Sequence, residues 1–150
     1  MREAIHALEL GGTLFVPASH KDLASILSGE KHPALRSVFI DFEDGLADAD
    51  RAEAQNNLPG TLAAIKENKL LRFIRPQDPK MLEHFMQLRD INKIDGFILP
   101  KFGLNNANEY LSIIQHSTFK IHNYKVMPSI EGEELFDTQK LRQLRDILLP

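Results

Sequence analysis

Five short runs rich in β-branched and aromatic residues constrain this chain more than anything else in it. They are Thr13–Pro17, Ser37–Phe42, Leu71–Arg75, Gly96–Lys101 and Lys125–Ile130. Most are near-continuously apolar and not strictly alternating, the pattern of a parallel strand covered on both faces. Each interval between their starts has room for one helix and two short loops. The chain therefore reads as repeated βα units with parallel strands.

Helix signals fall in the intervals. Asp78-Pro79 places a capping residue before a proline at the first helical position, and Met81, Leu82, Phe85, Met86 and Leu88 follow as an apolar stripe. Asp137 can cap a last helix carrying Leu141, Leu144, Ile147 and Leu148. Asp48 and Asp50 open an alanine-rich helix that Pro59-Gly60 is expected to split into two pieces. Asn105 and Asn106 precede a helix burying Tyr110, Leu111 and Ile114, and 21–28 is a short helix with Leu23, Ile26 and Leu27 inward.

With 150 residues, 43% hydrophobic and 26% charged, and a net charge of −3, the chain is an ordinary globular sequence and a single domain over 1–150, not a disordered one. Eighteen basic residues against 21 acidic leave no excess to neutralise phosphates, which argues against nucleic acid as a partner. The absence of cysteine excludes a disulfide framework, a thiolate nucleophile and a thiolate-bound zinc. No secretory h-region follows Met1-Arg2-Glu3-Ala4, and no stretch approaches the ~18–20 apolar residues of a membrane span. The expected setting is cytoplasmic.

A complete (β/α)8 barrel takes about 250 residues, and about five units fit here. The expected fold is thus α/β, a parallel barrel of TIM type that is incomplete, a single domain expected by this arithmetic to lack its C-terminal units. An open doubly wound sheet is the alternative, although Gly11-Gly12 precedes the first strand and no glycine-rich phosphate loop follows it.

In either architecture the active site lies at the C-terminal ends of the strands. Those ends carry Ser19 and His20, then Asp41, Glu43 and Asp44, then Arg75, Lys101 and Glu131, with Glu133 and Glu134 beyond. Charges at the ends of apolar strands are costly to bury unless paired or liganded. Converging cations and carboxylates suit an anionic substrate and a hard divalent metal. Each has a structural reading of equal weight: Glu43 and Asp44 satisfying loop amides, Arg75 paired with Asp41 or Glu43, Lys101 as a solvated strand end, Glu131 as a first-turn helix charge. His6, His32, His84, His116 and His122 show no metal-ligand spacing.

Five segments in order carry a resemblance: LFVPAS at 14–19, VFIDFEDGLADADRAEAQNNL at 38–58, RFIRP at 72–76, DGFILPKFG at 95–103 and MPSIEGEELFD at 127–137. The chain resembles the HpcH/HpaI aldolase and citrate lyase β-subunit family, and most of all its branch found with tellurite-resistance and stress-response clusters. The resemblance implies a (β/α)8 barrel that makes or breaks C–C bonds, commonly in acyl-CoA esters and with magnesium. It also implies that Arg75 contacts substrate, Glu131 ligates Mg²⁺, Glu43 and Asp44 organise the site, and Lys101 lies near the substrate. His20 stands where the family often has an arginine, and the family's second metal carboxylate, an aspartate in a later strand motif, has no counterpart before Pro150.

Three functions follow as expectations. The first is a metal-assisted carbon–carbon lyase or aldolase acting on a small acyl-CoA ester or a 2-oxo or hydroxy acid, working as a homo-oligomer. The second is a non-catalytic fragment or interaction module whose open sheet edges assemble with another chain. The weakest is a nucleotide-binding open sheet.

Overall fold

The computed structural model describes residues 6–116 and 124–148; Met1–Ala4 and His122 lie outside them. Strands β1 (Thr13–Pro17), β2 (Ser37–Asp41), β3 (Leu71–Arg75), β4 (Gly96–Leu99) and β5 (Lys125–Pro128) alternate with helices α1 (Leu23–Leu27), α2 (Asp48–Ala64), α3 (Pro79–Phe85), α4 (Ala107–His116) and α5 (Thr138–Leu148). The strands form one parallel sheet in the order β1-β2-β3-β4-β5. This is the winding of a barrel wall. A doubly wound sheet needs a switch point where strand order reverses, and none lies between β1 and β5, so that alternative is set aside.

Pleating divides the strand residues between two faces. Val16, Val38, Ile40, Ile74, Phe97 and Leu99 join Leu27, Leu58, Leu62, Leu82, Phe85 and Tyr110 in the main core beneath the helices. Phe39, Phe73 and Ile98 form a second cluster with Leu10, Leu71 and Met127 on the inner, concave side. There Phe15, Phe39 and Phe73 stack edge to face across three strands, with centroids 4.8 and 5.3 Å apart. Gly96 lets β4 and β5 approach: a Cβ there would collide with the Lys125 carbonyl.

The two helix caps expected from sequence are present. Asp78 accepts the Met81 amide at 2.9 Å, and Asp137 accepts those of Gln139 and Lys140 at 2.8 and 3.2 Å. Several boundaries differ, and α1 spans Leu23–Leu27, inside the expected 21–28. Helix α2 runs unbroken through Pro59. The proline sits on the exposed face, where a carbonyl deprived of its donor keeps access to water, while Ala54, Leu58 and Leu62 anchor the helix on both sides. Strand β2 stops at Asp41, whose carboxylate folds the next amides onto itself, and β4 stops at Leu99, before Lys101 turns to positive φ. Strand β5 stops at Pro128 instead of Ile130. In α4, Tyr110 is buried as expected, whereas Leu111 and Ile114 are half-buried.

Candidate functional site

Parallel pairing in register brings the C-terminal strand ends to one rim. Asp41 lies opposite both Pro17 and Arg75. The ladder continues one step past the strands, with the Phe42 amide donating to the Arg75 carbonyl at 3.0 Å. The loop after β2 is therefore fixed directly above the end of β3.

Asp41 is the keystone. Its Oδ1 accepts the Glu43 amide at 3.0 Å and its Oδ2 the Gly45 amide at 2.9 Å. A Cβ on Gly45 would collide with that carboxylate, so only glycine permits the wrap. Arg75 donates to both oxygens at once, Nε to Oδ1 at 2.8 Å and Nη2 to Oδ2 at 2.6 Å. Burial pushes the Asp41 carboxyl up, but the Arg75 hydrogen bonds and the two loop amides outweigh it and hold the group below its ordinary value. The same contact with Asp41 raises Arg75 above its ordinary value. One face of the guanidinium lies over the Phe15 ring, 5.3 Å from its centroid.

Glu43 sits deeper than sequence alone suggests, only 5% exposed. Its Oε2 is 3.3 Å from Arg75 Nη1 and its Oε1 2.6 Å from Lys101 Nζ. Both are ion-pair contacts, and neither oxygen completes an aligned hydrogen bond. Lys101 reaches over from the end of β4, past β3, and also comes within 3.7 Å of Asp44. The Glu43 contact, then the charges of Asp44 and Glu131, raise Lys101 above the usual lysine value. Unlike Arg75, Lys101 is largely solvent-facing, with its side chain 64% exposed.

Asp41, Glu43, Asp44, Arg75 and Lys101 thus form one connected cluster. Glu131 stands exposed on the same rim, its Oε1 accepting the Ser129 hydroxyl at 2.7 Å. His20 is also exposed, but its Nδ1 accepts the Asp22 amide at 3.1 Å and caps its own loop. Among the described residues no three His, Asp or Glu side chains gather as a metal cage. Glu131 supplies one hard oxygen donor, which fits a magnesium ion held mainly by water and substrate oxygens. As formal charges, four rim carboxylates face two cations, leaving two negative charges that an anionic substrate would meet unless a cation joined it.

Two contributors escape sequence reasoning. Asp41 reads there as one strand-end charge among several and a possible partner of Arg75, not as the centre of the cluster, and Asn106 only as a helix-start residue. Asn106 in fact clamps the Lys101 loop: its Nδ2 donates to the Lys101 carbonyl at 3.0 Å and its Oδ1 accepts the Gly103 amide at 3.0 Å. The asparagine before an apolar stripe signals the cap, but not the residue it restrains. A cavity of about 590 Å³ lies at the opposite end of the sheet, between Arg36, Lys69, Leu71 and Gly29, away from this cluster.

Residues 4–150 match the family described as C-C_Bond_Lyase of the TIM-Barrel fold. No curated protein matches the chain.

Proposed function

The chain belongs to the C–C bond lyase family of the TIM-barrel fold, and from that premise we propose metal-assisted enolate chemistry of the citrate lyase β type. The substrate would be a small acyl-CoA ester or a 2-oxo or hydroxy acid. The observation that supports this most is the Asp41–Arg75–Glu43–Lys101 cluster, built from three neighbouring strand ends at the rim where barrel enzymes carry their chemistry.

Cleavage beside a carbonyl moves the C–C electron pair onto the carbonyl oxygen as an enolate. The hydroxyl of the departing fragment loses its proton to a base and becomes a carbonyl. Positive groups fixed beforehand where the oxyanion develops lower that barrier. Arg75 contributes such a charge, held in place by Asp41 and Phe15. Glu43 and Asp44 organise the cations. Of the rim groups that could take this proton, Glu43 lies within the cluster, while His20 is turned to its own loop. A divalent cation on Glu131 would supply a Lewis acid for the enolate oxygen.

A panel of 3-hydroxyacyl-CoA esters and 4-hydroxy-2-oxo acids, incubated with the protein and Mg²⁺, tests the reading through the carbonyl product trapped as its phenylhydrazone. Turnover that vanishes in Arg75→Met and Glu131→Gln supports it. No product from any member of the panel rejects it.

One observation favours a second reading, an assembly module. Strands β1 and β5 are each paired on one side only among the described residues, and Phe15 on β1 is 51% exposed on the concave face. Unpaired edges beside an exposed aromatic invite another chain.

A further inference from the structure

Lys101 is one of two non-glycine residues with positive φ among those described, at 47°. A long side chain gains nothing from that region, where asparagine, aspartate and glycine are the usual occupants. Such a conformation persists only where its surroundings over-determine it, and it clusters at functional sites. Here the surroundings do so. Asn106 holds the Lys101 carbonyl and, through Gly103, the far side of the turn. The Phe102 ring is fully buried and its amide donates to the Ser129 carbonyl at 2.9 Å. The buried Tyr110 hydroxyl lies 3.5 Å from the Pro100 carbonyl.

The restraint serves the ammonium group. It carries the Lys101 chain over the end of β3 to Glu43, so that a solvent-accessible cation stands above the buried Asp41–Arg75 pair. Arg75 has spent its paired Nε and Nη2 donors on Asp41 and turns Nη1 to Glu43. Lys101 has three rotatable donors and most of its surface free.

We propose that Lys101, held in its left-handed turn by Asn106, is a catalytic residue that contacts the anionic oxygen of a 2-oxo acid or its enolate, with Arg75 a charge behind it and not the primary clamp. The proposal rests on the lyase reading for the class of ligand. Asn106 acts through Lys101 and is a positioning residue.

Oxalate, a planar dianion that mimics the enolate of a 2-oxo acid, is the probe, titrated calorimetrically into the intact chain with and without Mg²⁺. Lys101→Asn is the informative variant, because asparagine accepts positive φ and the fold should keep its melting temperature while the charge is lost. Loss of one charge-assisted hydrogen bond predicts oxalate binding weaker by about tenfold or more in Lys101→Asn. Lys101→Arg should retain most of it, and Asn106→Ala should weaken it with Lys101 still present. Mn²⁺ affinity without oxalate should not fall in Lys101→Asn, because the lost charge is a cation near Glu131. Equal oxalate affinity in wild type and Lys101→Asn overturns the proposal and leaves the lyase reading standing. A wild-type protein that binds no oxalate under either condition also overturns the proposal, while the lyase reading stands or falls on the turnover panel.

Discussion

Asp41 and Arg75, register partners across β2 and β3, meet in a two-pronged ion pair with both contacts under 3 Å, at 2.8 and 2.6 Å. The fork of Arg75 that a substrate carboxylate would use is therefore filled from within the protein. The arginine is rigid, charged and close to the rim, but it is furniture of the site before it is a ligand. Removing one partner of such a buried pair strands the other, at a cost of about 3–5 kcal/mol. Asp41→Asn should lose stability of that order in urea melts. Because the two residues share one interaction, the Asp41→Asn, Arg75→Met double variant should lose clearly less than the two single losses added together.

The same pair sets an acid limit. The Asp41 carboxyl is depressed in the folded state, so its contribution is fully present above the unfolded carboxylate value near 3.9. It is lost as pH falls through the lower, folded value. Wild-type stability should therefore decline on acidification below about pH 4 more steeply than that of Asp41→Asn. Urea unfolding of both proteins between pH 6 and pH 2 checks this, and parallel curves would show that Asp41 is not a linked group.

Much of this was legible in the sequence, and the reason is geometric. Burial of a parallel sheet on both faces writes each strand as an apolar run, so Val38–Ile40 and Phe73–Ile74 announce themselves. The rim follows once strands are parallel, because every strand then ends on the same side. Pairing was not legible. Whether Arg75 meets Asp41 or Glu43 depends on register and on a loop wrap that only Gly45 permits, and it meets both. The continuity of α2 through Pro59 was hidden for a different reason: local propensity argues for a break, and the contacts of Leu58 and Leu62 with the sheet override it.

Glycine 96 offers a sharp test of the β4–β5 junction. Its missing Cβ is what lets the Lys125 carbonyl lie against it. Gly96→Ala should force the strands apart and cost about 1–3 kcal/mol, the range for overpacking. Hydrogen exchange should localise the change: the Ser129 amide, which donates to Leu99 across that junction, should lose protection, while the β1–β2 amides should not.

Glu131 is the metal test. Its carboxylate is exposed beside Ser129 and felt electrostatically by Lys101. Glu131→Gln keeps the shape and the Ser129 contact but removes the charge. Titration calorimetry should find Mg²⁺ and Mn²⁺ affinity abolished in the variant with the melting temperature unchanged. Unchanged affinity would reject Glu131 as a ligand and return it to a plain rim charge.

The sheet edges lead to the last expectation. In a closed barrel each strand has two neighbours, whereas β1 and β5 have one each among the described residues. Phe15 adds half-exposed aromatic surface beside the β1 edge, where it also carries Arg75 on its ring. An edge with an apolar flank is driven to pair, so light scattering on the 150-residue chain should give a mass above the monomer's 17.0 kDa that rises with concentration. Phe15→Ser should shift that equilibrium towards monomer, because it removes apolar area without touching the ladder. A chain that stays monomeric at every concentration, with no dye-binding apolar surface, would show that the concave face is satisfied by its own residues and would remove the assembly reading.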